Sequence, residues 1–331
     1  CHKCKLIGVI QPKLTIHRDV VYPHHRNGWP FVVSAMSALL RDDGGGVLFD
    51  CSLERSFARD IELARAEGWL PFRRPWVGIV HVPPEIPDWS EQKKSICAIR
   101  RLEEWRESLK ECRGLVTFSR CMAEWLGKEF PVPVLPLRHP VPPPPKHFEW
   151  DAFERSAARA IVQVGSWLRK FSSIHFLPID RTRKRLLIPV AEDQAPRYWR
   201  TLEAERRASG APSFGDWHCT ILDRLPNDGY DDLLASHVVF LDLAGAVANN
   251  AILECIVRHT PVLVNRLPSV EEYLGPEYPL YFENLEEAAA KAEDLALIEK
   301  AHRYLEAMPK DELSGDRFLQ DFSGSAFYQN L

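Results

Sequence analysis

The sequence predicts an α/β protein made of two doubly wound halves. Three observations carry that expectation. Apolar runs of five or six residues alternate with amphipathic helical stretches, the pattern of parallel strands covered on both faces. The stretch "PVPPPPKHFEW" (140–150) interrupts the alternation, and its four consecutive prolines can join neither a helix nor a central strand. Beyond it the alternation starts again. A chain of 331 residues has room for two such domains with a ligand cleft between them, at the carboxyl ends of the strands.

In the first half "KLIGVI" (5–10) reads as a strand and "WPFVVSAMSALLRDD" (29–43) as a helix. Strand "GVLFDCS" (46–52), helix "ERSFARDIELARAEGW" (54–69) and the buried strand "PWVGIVHVPP" (75–84) follow. One long helix is expected over 95–112, then strand "GLVTFS" (114–119), helix "RCMAEWLGKEF" (120–130) and strand "VPVLPLRHPV" (132–141). Past the prolines, strands are expected in "RAIVQVGSW", "KRLLIPVAE", "WHCTILDRL", "HVVFLDL" and "PVLVN". Helices are expected between them, and over 285–308 and 316–331 at the end. The expected division is a first domain over 1–141, a second over 142–310, and a last helix (311–331) packing back across the junction.

Composition narrows the function. The formal charge of −4 creates no global field that would recruit nucleic acid or an acidic membrane. No apolar run reaches the roughly 18–20 residues of a spanning helix. Most of the eight cysteines sit in apolar contexts, as reduced thiols of a cytoplasmic protein do. Cys1, His2 and Cys4 have half of a zinc site's spacing, but a lone CxxC is more simply a frayed terminus, and no metal is expected. The sequence starts at Cys1 rather than Met, which reads as a chain cut from something longer.

The chemistry concentrates in "HVVFLDLAGAVANNAILECIV" (237–257), where a strand leads through a small-residue loop into a helix. Gly245, Ala246, Val247 and Ala248 let the backbone approach a ligand, and Asn249 or Asn250 caps the helix. Free amides at that helix start suit a phosphate or carboxylate. Glu254 lies one turn further in, where a carboxylate can accept from a diol. In "IVQVGSWLRK" (161–170) a strand ends at Gly165, and Arg169 and Lys170 arrive together, as a diphosphate requires.

These stretches resemble the donor-binding half of retaining GT-B glycosyltransferases, the group-one glycosyl transferases. "DDLLASHVVFLDL" stands where that family has a strand ending before the donor site. Glu254 stands in the place of the second of its two acids, and "HTPVLVN" in the place of its following strand. "VGSWLRK" is similar to the turn whose basic residues hold the nucleotide diphosphate. The resemblance covers most of 160–285 in order and spacing, and the first half in layout. The first acid is absent, since Ala246 occupies its position.

The resemblance implies a GT-B fold, two Rossmann-like domains facing a central cleft, and transfer of a sugar from a nucleotide-diphosphate sugar with retention. Arg169 and Lys170 would neutralise the leaving diphosphate, helped by Gly165 and the backbone of Ala248, Asn249 and Asn250, and Glu254 would hold the ribose. His81, at the end of "WVGIVH", takes the place of a histidine beside the sugar. Asn27 and Gly28, in "HHRNGWP", resemble the glycine loop near the donor and acceptor, and Ser119 and Arg120 end a strand on the same side. Glu271 and Glu272 would cap the base or ribose side, or are plain first-turn acids. Phe318, Phe322, Phe327 and Tyr328 read as helix packing. The implied partners are a nucleotide sugar and an unknown acceptor (glycan, lipid, protein or small molecule), with no nucleic acid and no cofactor. Ala246 supports the alternative of a degenerate GT-B domain that binds without transferring. An epimerase or phosphorylase on the same fold has no dedicated residues.

Overall fold

The computed structural model describes residues 10–17, 28–188 and 195–331. The chain divides into two compact units. One contains Cys1–Val82, Ile96–Pro142 and Asp311–Leu331, the other Pro83–Ser95 and Pro143–Lys310. Residues 83–95, which the sequence places in the first domain, thus cluster with the second unit. Among the described residues no helix is long and apolar enough to cross a membrane. The strand expected over 5–10 lies almost wholly outside the described residues.

Unit 1 contains β1 (Leu14–Ile16), α1 (Gly28–Ala35), β2 (Val47–Asp50), α2 (Ile61–Glu67) and β3 (Trp76–Val80). It continues with α3 (Ile96–Ile99), α4 (Glu103–Leu109), β4 (Cys112–Thr117), α5 (Arg120–Glu129) and β5 (Val134–Pro136). The five strands form one parallel sheet in chain order. Every residue of the central strand β3 is buried, which explains its unbroken apolar run.

The helix expected over 95–112 is two helices, because Leu102 is extended (φ −69°, ψ 143°) and caps α4. Ile99 and Trp105 are both fully inside, yet six residues apart they would point about 120° apart on one straight helix. The break lets both reach the core.

Unit 2 contains α6 (Trp150–Arg155), β6 (Ile161–Gln163), α7 (Ser173–Phe176), β7 (Lys184–Leu187), α8 (Ala195–Ser209) and β8 (Thr220–Leu222). Then come α9 (Asn227–Ser236), β9 (Val238–Leu241), α10 (Asn250–Arg258), β10 (Val262–Asn265) and α11 (Pro268–Leu274). The strand β11 (Tyr281–Phe282) and helices α12 (Leu285–Glu293) and α13 (Leu295–Ala307) complete it. The expected helix over 285–308 breaks at Asp294, whose carboxylate accepts from Leu297 N at 2.9 Å and caps α13.

The sheet of unit 2 is parallel, in the order β8-β7-β6-β9-β10-β11. That is the doubly wound arrangement, whose strand order reverses between β6 and β9. Ligands bind such sheets at the carboxyl ends beside this reversal.

The chain ends in unit 1 with α14 (Gly315–Ser323) and α15 (Ala326–Gln329). Phe322 packs on Phe49 of β2 at 6.2 Å and Phe318 on Phe118 at 6.4 Å. The Tyr328 hydroxyl donates to Gln11 O (2.8 Å) and accepts from Lys13 N (3.1 Å). The aromatic stripe of the tail is therefore core of this unit.

Candidate functional site

The reversal in unit 2 is where the loops after β6 and β9 meet, and backbone pairing stitches them together. Lys170 N donates to Asp242 O and Ala244 N to Leu168 O, both at 2.9 Å, so the two loops form a short antiparallel bridge. Gln163, the last residue of β6, donates from Nε2 to Lys170 O at 3.1 Å. From β10, Asn265 grips the neighbouring backbone: Oδ1 accepts from Leu243 N (2.7 Å) and Nδ2 donates to Leu243 O (2.9 Å). Ser269 of α11 donates from Oγ to Ala246 O at 2.8 Å. Ser269, Tyr273, Ala246, Ala248 and Ile252 line a small recess beside Asn249.

Arg169 lies inside this framework, 8% exposed. Its Nη2 donates to Asn249 Oδ1 at 3.0 Å and its Nη1 to the carbonyl of Trp167. Nε is buried with no partner among the described residues. Gly165, at φ +80°, makes room for the side chain: a Cβ there would stand 2.8 Å from Arg169 Nη2. Burial pulls the guanidinium well below its ordinary value, to about 10. Both of these acceptors are neutral, and Arg169 makes no ion pair among the described residues. The other deeply buried arginine of this unit, Arg258, is paired with the Asp231 carboxylate. The contrast matters, because a buried charge ordinarily requires an opposite one.

Lys170 behaves differently. Its side chain is 47% exposed, and Nζ donates to Asp242 Oδ1 at 2.9 Å. Asp242 is held in turn by Ser173 Oγ at 2.6 Å. An ammonium carries three donors, so hydrogens remain for a second acceptor.

Asn249 is the cap of α10, with Oδ1 accepting from Ala251 N (3.1 Å) and Ile252 N (3.3 Å). Asn250 is the first helical residue and is exposed. The amides of Ala248, Asn249 and Asn250 donate to no acceptor among the described residues. Open amides at a helix start and a buried guanidinium on its cap together make an electropositive corner suited to an anion. Glu254 is buried on α10, 6% exposed. Glu271 pairs with Arg266, whose guanidinium lies over the Tyr281 ring at 4.3 Å.

The remaining candidates belong to unit 1. Asn27 lies outside the described residues, as do Cys1, His2 and Cys4. Gly28 is the buried first residue of α1, at φ +42°. Ser119 is buried and caps α5, its hydroxyl accepting from Met122 N at 3.2 Å. Arg120 is the exposed first residue of that helix.

His81 follows β3, and its Nε2 lies 3.0 Å from Cys51 O, so that nitrogen carries the proton. Its backbone N donates to Glu54 Oε1 at 2.6 Å, and its ring meets Trp29 edge-on at 4.2 Å. Burial holds the imidazole down at about 4, so the ring is neutral at physiological pH. Among the described residues no three His, Cys, Asp or Glu side chains gather as a metal site.

Sequence reading passed over Asp242, Asn265 and Ser269. The available signal was position: Asp242 and Asn265 are polar residues at the ends of otherwise apolar runs, where a strand's carboxyl end meets the ligand face.

No family model matches the chain, and no curated protein matches it. Solved structures do. A UDP-forming α,α-trehalose-phosphate synthase from Burkholderia xenovorans aligns over 91% of this chain and 77% of its own, at 15% identity and TM-score 0.51. Anabaena HepE in complex with UDP and glucose aligns over 89% and 80%, at 11% identity and TM-score 0.53. A point mutant of S. aureus TarM, in complex with fondaparinux, α-GlcNAc-glycerol and UDP, aligns over 88% of this chain, at 11% identity and TM-score 0.53. This chain spans only 57% of TarM. The agreement in two parallel α/β units, over most of the chain, identifies the architecture: the protein has the GT-B fold seen in these glycosyltransferase structures.

Proposed function

We propose that the protein is a glycosyltransferase that moves a sugar from a nucleoside-diphosphate sugar to an acceptor, with retention of anomeric configuration. The observation that carries this reading is the Arg169 guanidinium, buried without a carboxylate at the strand reversal of a GT-B fold. A diphosphate supplies the missing negative charge. As the bond from the anomeric carbon to the diphosphate breaks, its electron pair leaves with the phosphate oxygen. Arg169, Lys170 and the open amides of Ala248–Asn250 stabilise the charge that develops there. The acceptor hydroxyl oxygen forms the new bond to the anomeric carbon on the face the diphosphate leaves, and its proton passes to the departing phosphate oxygen. Glu254 accepts from the ribose hydroxyls, and acceptor recognition is assigned to unit 1.

A second reading has its own observation. Ala246 provides no carboxylate where the resemblance places the first acid, and its carbonyl is held by Ser269. On that reading the protein binds a nucleotide sugar without transferring it.

A thermal-shift panel of UDP, GDP and ADP and their common sugars tests the binding. A ligand at 100 times its dissociation constant adds about 2.7 kcal/mol of stability. A shift with one nucleoside diphosphate and its sugar, together with release of free nucleoside diphosphate during incubation with glycan or lipid acceptors, is the expected result. Binding without release selects the second reading, and no shift with any member refutes both.

A further inference from the structure

The geometry points to the segment 83–95 as a wall of the same anion site, with Lys94 as a further cation for the bound phosphates. The inference rests on the proposed function and names a residue that the sequence gives no reason to choose. The segment "PPEIPDWSEQKKS" follows β3 and precedes α3, both of unit 1, yet it clusters with unit 2. Three prolines, at positions 83, 84 and 87, bias it to extended backbone. Its turn is pinned by Ser90 N donating to Pro87 O at 2.8 Å and by Gln92 Nε2 donating to Ile86 O at 3.0 Å.

This segment touches both loops that build the site. Pro83 lies against the loop after β9, since a Cβ on Gly245 would stand 3.3 Å from Pro83 Cγ and 3.9 Å from Glu85 O. At its other end, Lys94 Nζ sits over the Trp167 ring, 4.5 Å from the centroid, in the loop after β6. Trp167 is the residue whose carbonyl accepts from Arg169 Nη1. Glu91 Oε2 steadies the ammonium at 3.3 Å, and the Lys94 side chain is only 18% exposed.

An ammonium on an indole face is poorly screened when partly buried, and with one donor on Glu91 it has others to offer a phosphate. Lys94 is thereby fixed on the residue that anchors Arg169, and it adds positive potential where the diphosphate would lie. Gly245 keeps the loop and the segment in close apposition, since a side chain there would crowd Pro83 Cγ by a few tenths of an ångström.

Calorimetric titration of the full chain with UDP, GDP and ADP tests the inference. The variants are Lys94→Ala, Lys94→Arg, Trp167→Leu, Arg169→Met and the exposed neighbour Lys93→Ala. Lys94→Ala is expected to weaken the nucleoside diphosphate that binds by about fivefold, with part of that loss disappearing in about 0.5 M NaCl. Lys94→Arg retains the affinity, Trp167→Leu reproduces part of the loss, and Lys93→Ala changes it less than about twofold. An unchanged melting temperature of unliganded Lys94→Ala separates this effect from misfolding. If Lys94→Ala binds like Lys93→Ala while Arg169→Met loses the ligand, the role of segment 83–95 is overturned and the transferase reading stands. If wild type binds none of the three, both fall.

Discussion

Arg169→Met is the sharpest perturbation of the site. The guanidinium is 8% exposed and has no carboxylate partner among the described residues. Its fall from the ordinary guanidinium value to about 10 corresponds to about 3 kcal/mol of preference for the neutral form. Because the folded value lies below the unfolded one, that cost is fully present at every pH below about 10 and fades only as pH rises beyond it towards the ordinary guanidinium value. Between pH 6 and 9 it is constant. Against it stand two hydrogen bonds from a charged donor, each contributing about 1.5–3 kcal/mol.

Together the hydrogen bonds, about 3–6 kcal/mol, offset that cost at their lower bound and exceed it at the upper, so the methionine chain, similar in reach and without charge, lowers the stability of the unliganded protein by no more than about 3 kcal/mol. Asn249 keeps both of its capping amides in that variant. The bound diphosphate, however, loses a charge-assisted contact, and affinity falls about 10- to 100-fold. Thermal unfolding at several pH values, paired with calorimetric titration, measures both quantities. A loss of about 3 kcal/mol or more in the unliganded protein with affinity intact would refute the reasoning, and Arg169 would then be a structural strut.

Two further outcomes follow from named contacts. Gly165→Ala combines a positive-φ penalty of about 1–2 kcal/mol with a clash against Arg169 Nη2, and it weakens nucleotide binding by moving the guanidinium. In an Arg169→Met background the penalty on stability shrinks by about 1 kcal/mol as the clash disappears, which thermal melts of the double variant read directly. In unit 1, Asp50 is 3% exposed with Oδ2 unpartnered among the described residues, and burial raises it from 3.8 to about 6. Its folded value is the higher one, so the charged carboxylate costs stability above pH 6 and nothing below pH 3.8. Asp50→Asn should therefore raise the melting temperature at pH 8 and lose that gain as pH falls from 6 towards 4; equal melting temperatures at pH 8 would exclude it.

Much of unit 2 is legible in the sequence because the relevant physics is local. The cores of β6, β9 and β10 announce themselves as short apolar runs, and Asn249 announces a helix start because its side chain serves amides two and three residues away. Gly165 before a basic pair is visible for the same reason. The break at Asp294 was also written locally, as a good capping residue, but the helical periodicity on both sides concealed it. Leu102 is different. Nothing near it demands an interruption, and the break follows from Ile99 and Trp105 both reaching a core that only the whole unit defines.

The amino-acid sequence by itself determined that this is a two-part α/β protein, and it marked the helix start and basic pair proposed here to hold an anion. Those properties depend on backbone period and capping over a few residues. Only the tertiary structure separated the two cations, burying Arg169 on neutral acceptors while leaving Lys170 exposed on Asp242. Only it brought Asn265, Ser269 and the segment 83–95 onto the loops that carry them. The physical reason is that burial and charge pairing are set by neighbours from distant parts of the chain, and these meet only when the strands take their places in the sheet.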